Sequence, residues 1–63
     1  MIDVGAVAVG TRLKLADGVV AEVTENMQDG QWLQVRYLES SRPAEVGAVE
    51  LCHAQDIIKV LSE

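Results

Sequence analysis

The one place where metal-ligating or nucleophilic side chains fall close together in this chain is Cys52-His53, with Asp56 three positions on. A structural zinc site needs four ligands at characteristic spacing, and only these three are near one another. Cys52 and His53 sit in a stretch that reads as a strand, where neighbours point to opposite faces. A Cys–His pair needs hydrogen-bond reach to make a thiolate nucleophile, so the two are poorly aimed for that work. Cys52 is therefore expected to pack as a small apolar residue, with His53 or Asp56 stabilising a short turn. Walker A, GxGxxG, HExxH and nucleophile-elbow patterns are absent from the sequence. One copy of the chain thus offers no catalytic, metal or cofactor site.

Two further groupings deserve physical weight. Glu22 could be a carboxylate poised between Arg12 and Arg36, if strand pairing places the three in one row. On a solvated sheet face such a row is a cross-strand ladder contributing roughly 0.2–1 kcal/mol per pair, and that is the reading adopted. Trp32 is a lone large aromatic on the polar side of an alternating stretch. With Val20 and Leu38 on the same side, it marks a candidate interface, because exposed apolar patches mark contacts and Trp is enriched at binding hot spots. The competing expectation is that residues 2–9 fold across this face and cover it.

The elements that position these residues follow from period-2 alternation. Residues 11–15 (TRLKL) place Leu13 and Leu15 on one face and Arg12 and Lys14 on the other. Residues 19–25 place Val19, Ala21 and Val23 inward, against Val20, Glu22 and Thr24. Residues 31–38 place Leu33, Val35 and Tyr37 inward, against Trp32, Gln34, Arg36 and Leu38. The connections Ala16-Asp17-Gly18 and Gln28-Asp29-Gly30 share a form that suits three-residue hairpin loops, with Gly18 and Gly30 in the left-handed region. That loop at both places predicts Leu13 opposite Ala21, Val23 opposite Val35, Ala21 opposite Tyr37 and Val20 opposite Leu38. Glu22 then lies between Arg12 and Arg36. Residues 39–45 read as a solvated loop with Pro43, residues 48–52 as a short strand, residues 53–56 as one 3₁₀ turn, and residues 57–61 as the last strand.

A chain of 63 residues makes one domain and buries only about 60% of the surface it exposes unfolded. Here residues 1–9 form a leading segment and residues 10–61 the folded body. Small domains draw extra stability from disulfides, metals or oligomerisation, and with a single cysteine self-association is the route left. Ten acidic residues against five basic ones give a net charge of −5, which repels phosphate backbones. Electrostatics thus argues against nucleic acid as a partner. No apolar run approaches the roughly 18 residues a membrane span requires, and the first ten residues lack the basic start of a secretory signal. The expectation is a cytoplasmic protein with no membrane partner.

The order of two linked hairpins, a longer loop, a short strand, a 3₁₀ turn and a last strand resembles the plan of SH3-like small barrels. Val9-Gly10-Thr11-Arg12-Leu13 through Val23 is similar to the opening V-G-x-R-V-x…D-G…G-x-V of Tudor-like and KOW-like proteins, with Ala21 where KOW-like segments carry a second glycine. The resemblance covers roughly residues 9 to 61 and implies an all-β fold, a five-stranded SH3-like barrel with a one-turn 3₁₀ element before the last strand. The chain is also similar to small barrels encoded on mobile gene cassettes and, distantly, to type II dihydrofolate reductases, whose V-Q-I-Y strand lines a pore at the centre of a tetramer. Here that place reads Val49-Glu50-Leu51-Cys52, with Glu for Gln and Cys for Tyr, so the resemblance does not carry the activity over.

Polyproline recognition needs a groove of several aromatics, and methyl-lysine capture needs an aromatic cage. Trp32 and Tyr37 are the only aromatic side chains of the Phe, Trp and Tyr types, so neither function fits. The expected function is a noncatalytic interaction module that self-associates or docks on a protein partner through the face around Trp32, Val20 and Leu38. The alternatives are a small-ligand binder or enzyme whose site forms only at an oligomer's symmetry axis, and an RNA-associated module.

Overall fold

The computed structural model describes residues 4–62 of the chain; residues 1–3, the start of the leading segment, and residue 63 lie outside the described residues. Five strands form one antiparallel sheet: β1 Arg12–Leu15, β2 Val20–Asn26, β3 Trp32–Glu39, β4 Val49–His53 and β5 Ile57–Ser62. Their spatial order is β4-β3-β2-β1-β5, so β4 and β5 are the two edges. Short 3₁₀ turns at Val4–Ala6, Ala16–Gly18, Pro43–Glu45 and Ala54–Asp56 complete the described secondary structure. No helix among the described residues is long and apolar enough to cross a membrane.

Alternation puts every fully buried side chain on one face of the sheet. Leu13, Ala21, Leu33 and Val35 are wholly inaccessible, and Val23, Leu15, Val19 and Cys52 join them. Burying a Leu or Val side chain contributes about 1.5–3 kcal/mol, so this aliphatic set is the main stabilising term. The leading segment adds to it: Val4 is 2% exposed within the core, and Val7 packs against it. Asn26 holds the segment there by donating from Nδ2 to the carbonyls of Val4 and Val7, both at 2.9 Å. The described part of residues 1–9 therefore feeds the core, on the face opposite Trp32. Thr11 is buried with them, and its Oγ1 has no hydrogen-bond partner among the described residues.

The first hairpin has the expected three-residue loop, closed by Leu15 N–H donating to Val19 O at 2.7 Å. Leu13 faces Ala21 and Arg12 faces Glu22. The backbone differs from the expected turn, because Asp17 (φ 63) precedes Gly18 (φ 74) in the left-handed region. A short polar side chain tolerates that conformation better than most.

The second hairpin departs from expectation at its loop. Residues 27–31 all lie outside the strands, with Gln28 at φ 63 and Gly30 at φ 78. The central register is nonetheless the expected one, with Ala21, Glu22 and Val23 opposite Tyr37, Arg36 and Val35. A shift between Val23 and Glu25 reconciles the two: Glu25 faces Gln34, leaving Thr24 as an extra residue on β2. Thr24 Oγ1 lies 3.1 Å from both the backbone oxygen and Oε1 of Gln34, which anchors the bulge. A second shift puts Val20 opposite Glu39 instead of Leu38.

Candidate interaction surface

On the outward face, Trp32 opens β3, and two short-range devices fix it. Asp29 Oδ1 accepts from the N–H groups of Gln31 and Trp32 at 2.8 and 2.9 Å. Those bonds, the one from Trp32 foremost, hold the Asp29 carboxyl below its ordinary range. The indole meets the His53 ring edge-to-face, with centroids 4.8 Å apart and planes at 83°. His53 is itself oriented by the turn that follows, because its Nδ1 accepts from Gln55 N–H at 3.1 Å. An accepting Nδ1 places the imidazole proton on Nε2. Of the two residues considered for supporting that turn, His53 is the one that caps it.

The face around Trp32 is built differently from the sequence expectation. Trp32 and Leu38 stand at opposite ends of β3, about 20 Å apart at the rise of a strand, with Gln34 and Arg36 between them on the same face. Leu38 and Val20 are half-buried, whereas Trp32 is 38% exposed. The outward apolar residue next to Trp32 in the register is instead Leu51 of β4, diagonal to it, with Val49 two residues further along that strand. Gln34 pairs with Leu51 and Arg36 with Val49, and Leu51 and Val49 are 58% and 47% exposed. Trp32, Leu51 and Val49, with His53, thus form a strip along one edge of the sheet. Its signal was present in the sequence: once Cys52 points inward, alternation turns residues 49, 51 and 53 outward.

Arg12, Glu22 and Arg36 stand in one row across β1, β2 and β3. Their side chains do not close into ion pairs, since the only pair within 4.0 Å among the described residues is Arg42–Glu45 at 3.7 Å. Both ends of the row are exposed, and hydration competes with pairing there.

Beside β4, whose Leu51 and Cys52 both line it, lies a cleft of about 280 Å³, with Leu15, Val19 and Tyr37 also in its wall and Asp17, Glu45 and Asp56 contributing carboxylates. Burial, with a smaller contribution from Asp56, pushes the Cys52 thiol up to about 11. The Tyr37 hydroxyl is raised too, first by burial and then by Glu50 and Glu45. Both groups stay protonated at neutral pH, which removes the thiolate that nucleophilic chemistry requires. Glu45 is engaged by Ser40 Oγ, which donates at 2.9 Å, and by Arg42. No cluster of three metal-ligating side chains occurs among the described residues.

Comparison with protein-family models, with curated proteins and with solved structures found no match for this chain.

Proposed function

We propose that the protein is a small noncatalytic interaction module, a five-stranded barrel of SH3-like plan, which self-associates or docks on a protein partner in the cytoplasm. The observation that carries this reading is the apolar strip of Trp32, Leu51 and Val49, exposed at 38%, 58% and 47%. An aromatic anchored on backbone and ring alike loses little conformational freedom on binding, which lowers the cost of association. The raised thiol and phenol of the neighbouring cleft leave it without a ready nucleophile, and the net charge of −5 disfavours a phosphate backbone.

Iodide quenching of the single tryptophan, with sedimentation equilibrium of wild type and Trp32→Ala, tests the reading. Trp32 in the monomer should be open to iodide, and association should weaken at least tenfold in the variant. A monomer whose tryptophan emission is buried and insensitive to iodide overturns it.

A further inference from the structure

The two edges of the sheet are not equally closed to a further strand. β5 meets β1 through two register shifts, between Arg12 and Leu13 and between Lys14 and Leu15, and carries Lys59. Bulges and lysines on an edge are devices that discourage pairing. β4 has neither: its five pairs with β3 run from Trp32–His53 to Arg36–Val49 without a shift, and its one charge is Glu50.

The phase of that ladder is fixed at both ends. Tyr37 N–H donates to Ala48 O at 2.9 Å, and Ala54 N–H donates to Gln31 O at 2.8 Å. In an antiparallel pair the backbone groups of alternate residues point to the same neighbour, so Glu50 and Cys52 turn theirs to β3. Val49 and Leu51 turn their N–H and C=O groups to the open edge, and His53 its N–H; the His53 carbonyl accepts from Cys52 Sγ at 3.5 Å and, at the N-cap of the following turn, serves that turn. These are the same residues whose side chains form the apolar strip.

Resting on the reading above that this strip is an interaction surface, we infer that its occupant is a second copy of the chain. β4 pairs antiparallel with β4 of that copy, about a two-fold axis at Leu51. In this register Leu51 faces its own counterpart, and Val49 faces His53 of the second copy. Both backbone groups of Leu51 then find partners, and the His53 N–H meets the Val49 carbonyl of the second copy. Charge selects the same alignment: centring on Glu50 would set two carboxylates directly opposite, which destabilises a sheet, whereas centring on Leu51 sets Glu50 against Cys52. The strips of the two copies then join on one face, flanked by both Trp32–His53 pairs. Such isologous pairing is the commonest way a soluble chain closes on itself.

Sedimentation equilibrium of the full chain tests this, using Leu51→Lys, Ile58→Lys and, in a Cys52→Ala background, Leu51→Cys. Wild type should be a dimer that tightens when salt is raised from about 0.05 to about 0.5 M, because two equally charged copies repel less when screened. Leu51→Lys should raise the dissociation constant at least tenfold while its circular dichroism stays that of wild type. Ile58→Lys, equally exposed but on β5, should leave the constant unchanged. Leu51→Cys should oxidise to a covalent dimer, since directly opposed bonded residues have Cα atoms about 5.5 Å apart, within disulfide range. A dimer that survives Leu51→Lys but is lost in Trp32→Ala overturns the β4 pairing and leaves the interaction surface standing. A chain that stays monomeric to millimolar concentration also overturns the pairing, and iodide quenching of Trp32 then judges the surface separately.

Discussion

β4 and β5 occupy equivalent positions at the two edges of the sheet, yet the chain treats them in opposite ways. β5 is irregular where it meets β1, and its exposed Ile58, Val60 and Leu61 are carried on a strand whose alternation is broken. β4 is regular against β3, with its outward side chains and its open backbone groups coming from the same residues. Edge irregularity costs ladder hydrogen bonds but prevents stray pairing. A regular edge bearing an apolar strip suits a strand that is meant to be covered. The lesson is that exposure of an apolar residue means little without the state of the backbone beneath it: Ile58 is 64% exposed and Leu51 58%, and only the second sits on a usable ladder.

The broadest way to break this comparison is to ask whether both edges hang on one core. Leu33 backs β4 as the partner of Cys52, and Leu13 backs β5 as the partner of Val60. Both are wholly buried, so Leu33→Ala and Leu13→Ala should each cost about 2–5 kcal/mol, read by thermal or urea unfolding. A loss confined to one edge, with the other melting as in wild type, would show that the sheet is two units.

The next effect reports whether β4 stays closed. The Cys52 thiol, at about 11 against an ordinary 9.0, should be alkylated at pH 8 about a hundredfold more slowly than in the urea-unfolded chain. The folded value is raised, so its contribution to stability is complete below about 9 and is lost as pH climbs from there through 11. Alkaline unfolding should begin in that window. Labelling at the unfolded rate in native buffer would mean that β4 detaches.

The smallest effect sharpens the phase of the ladder. Glu50→Pro removes an N–H bonded to β3 and should cost about 1–3 kcal/mol. Leu51→Pro removes one that faces the open edge, where proline is tolerated, and should cost distinctly less when both variants are titrated with urea at a dilution where the chain is monomeric. Equal costs, or the reverse order, would contradict the phase.

Much of this molecule is local and therefore legible in its residues. Side chains alternate across a strand because of backbone geometry alone, so the inward set Leu13, Leu15, Val19, Ala21, Val23, Leu33 and Val35 can be read directly. Gly18 and Gly30 at positive φ are legible for the same reason, since only glycine takes that conformation without cost. The central register of both hairpins follows from turn chemistry and patterning together, and so does the row of Arg12, Glu22 and Arg36.

What tertiary structure decided is whatever depends on strands being neighbours. The sequence does not say that β4 would be an edge, that Val4 would enter the core through Asn26, or that His53 and not Asp56 would cap the turn and also brace Trp32. The longer second loop and the extra residue at Thr24 offset each other, so the pattern alone could not reveal either. Residues 49 and 51 alternate legibly, but their importance comes from a ladder that fixes which backbone groups are left open. Side-chain direction is a property of one strand; an open hydrogen-bonding edge is a property of the whole sheet.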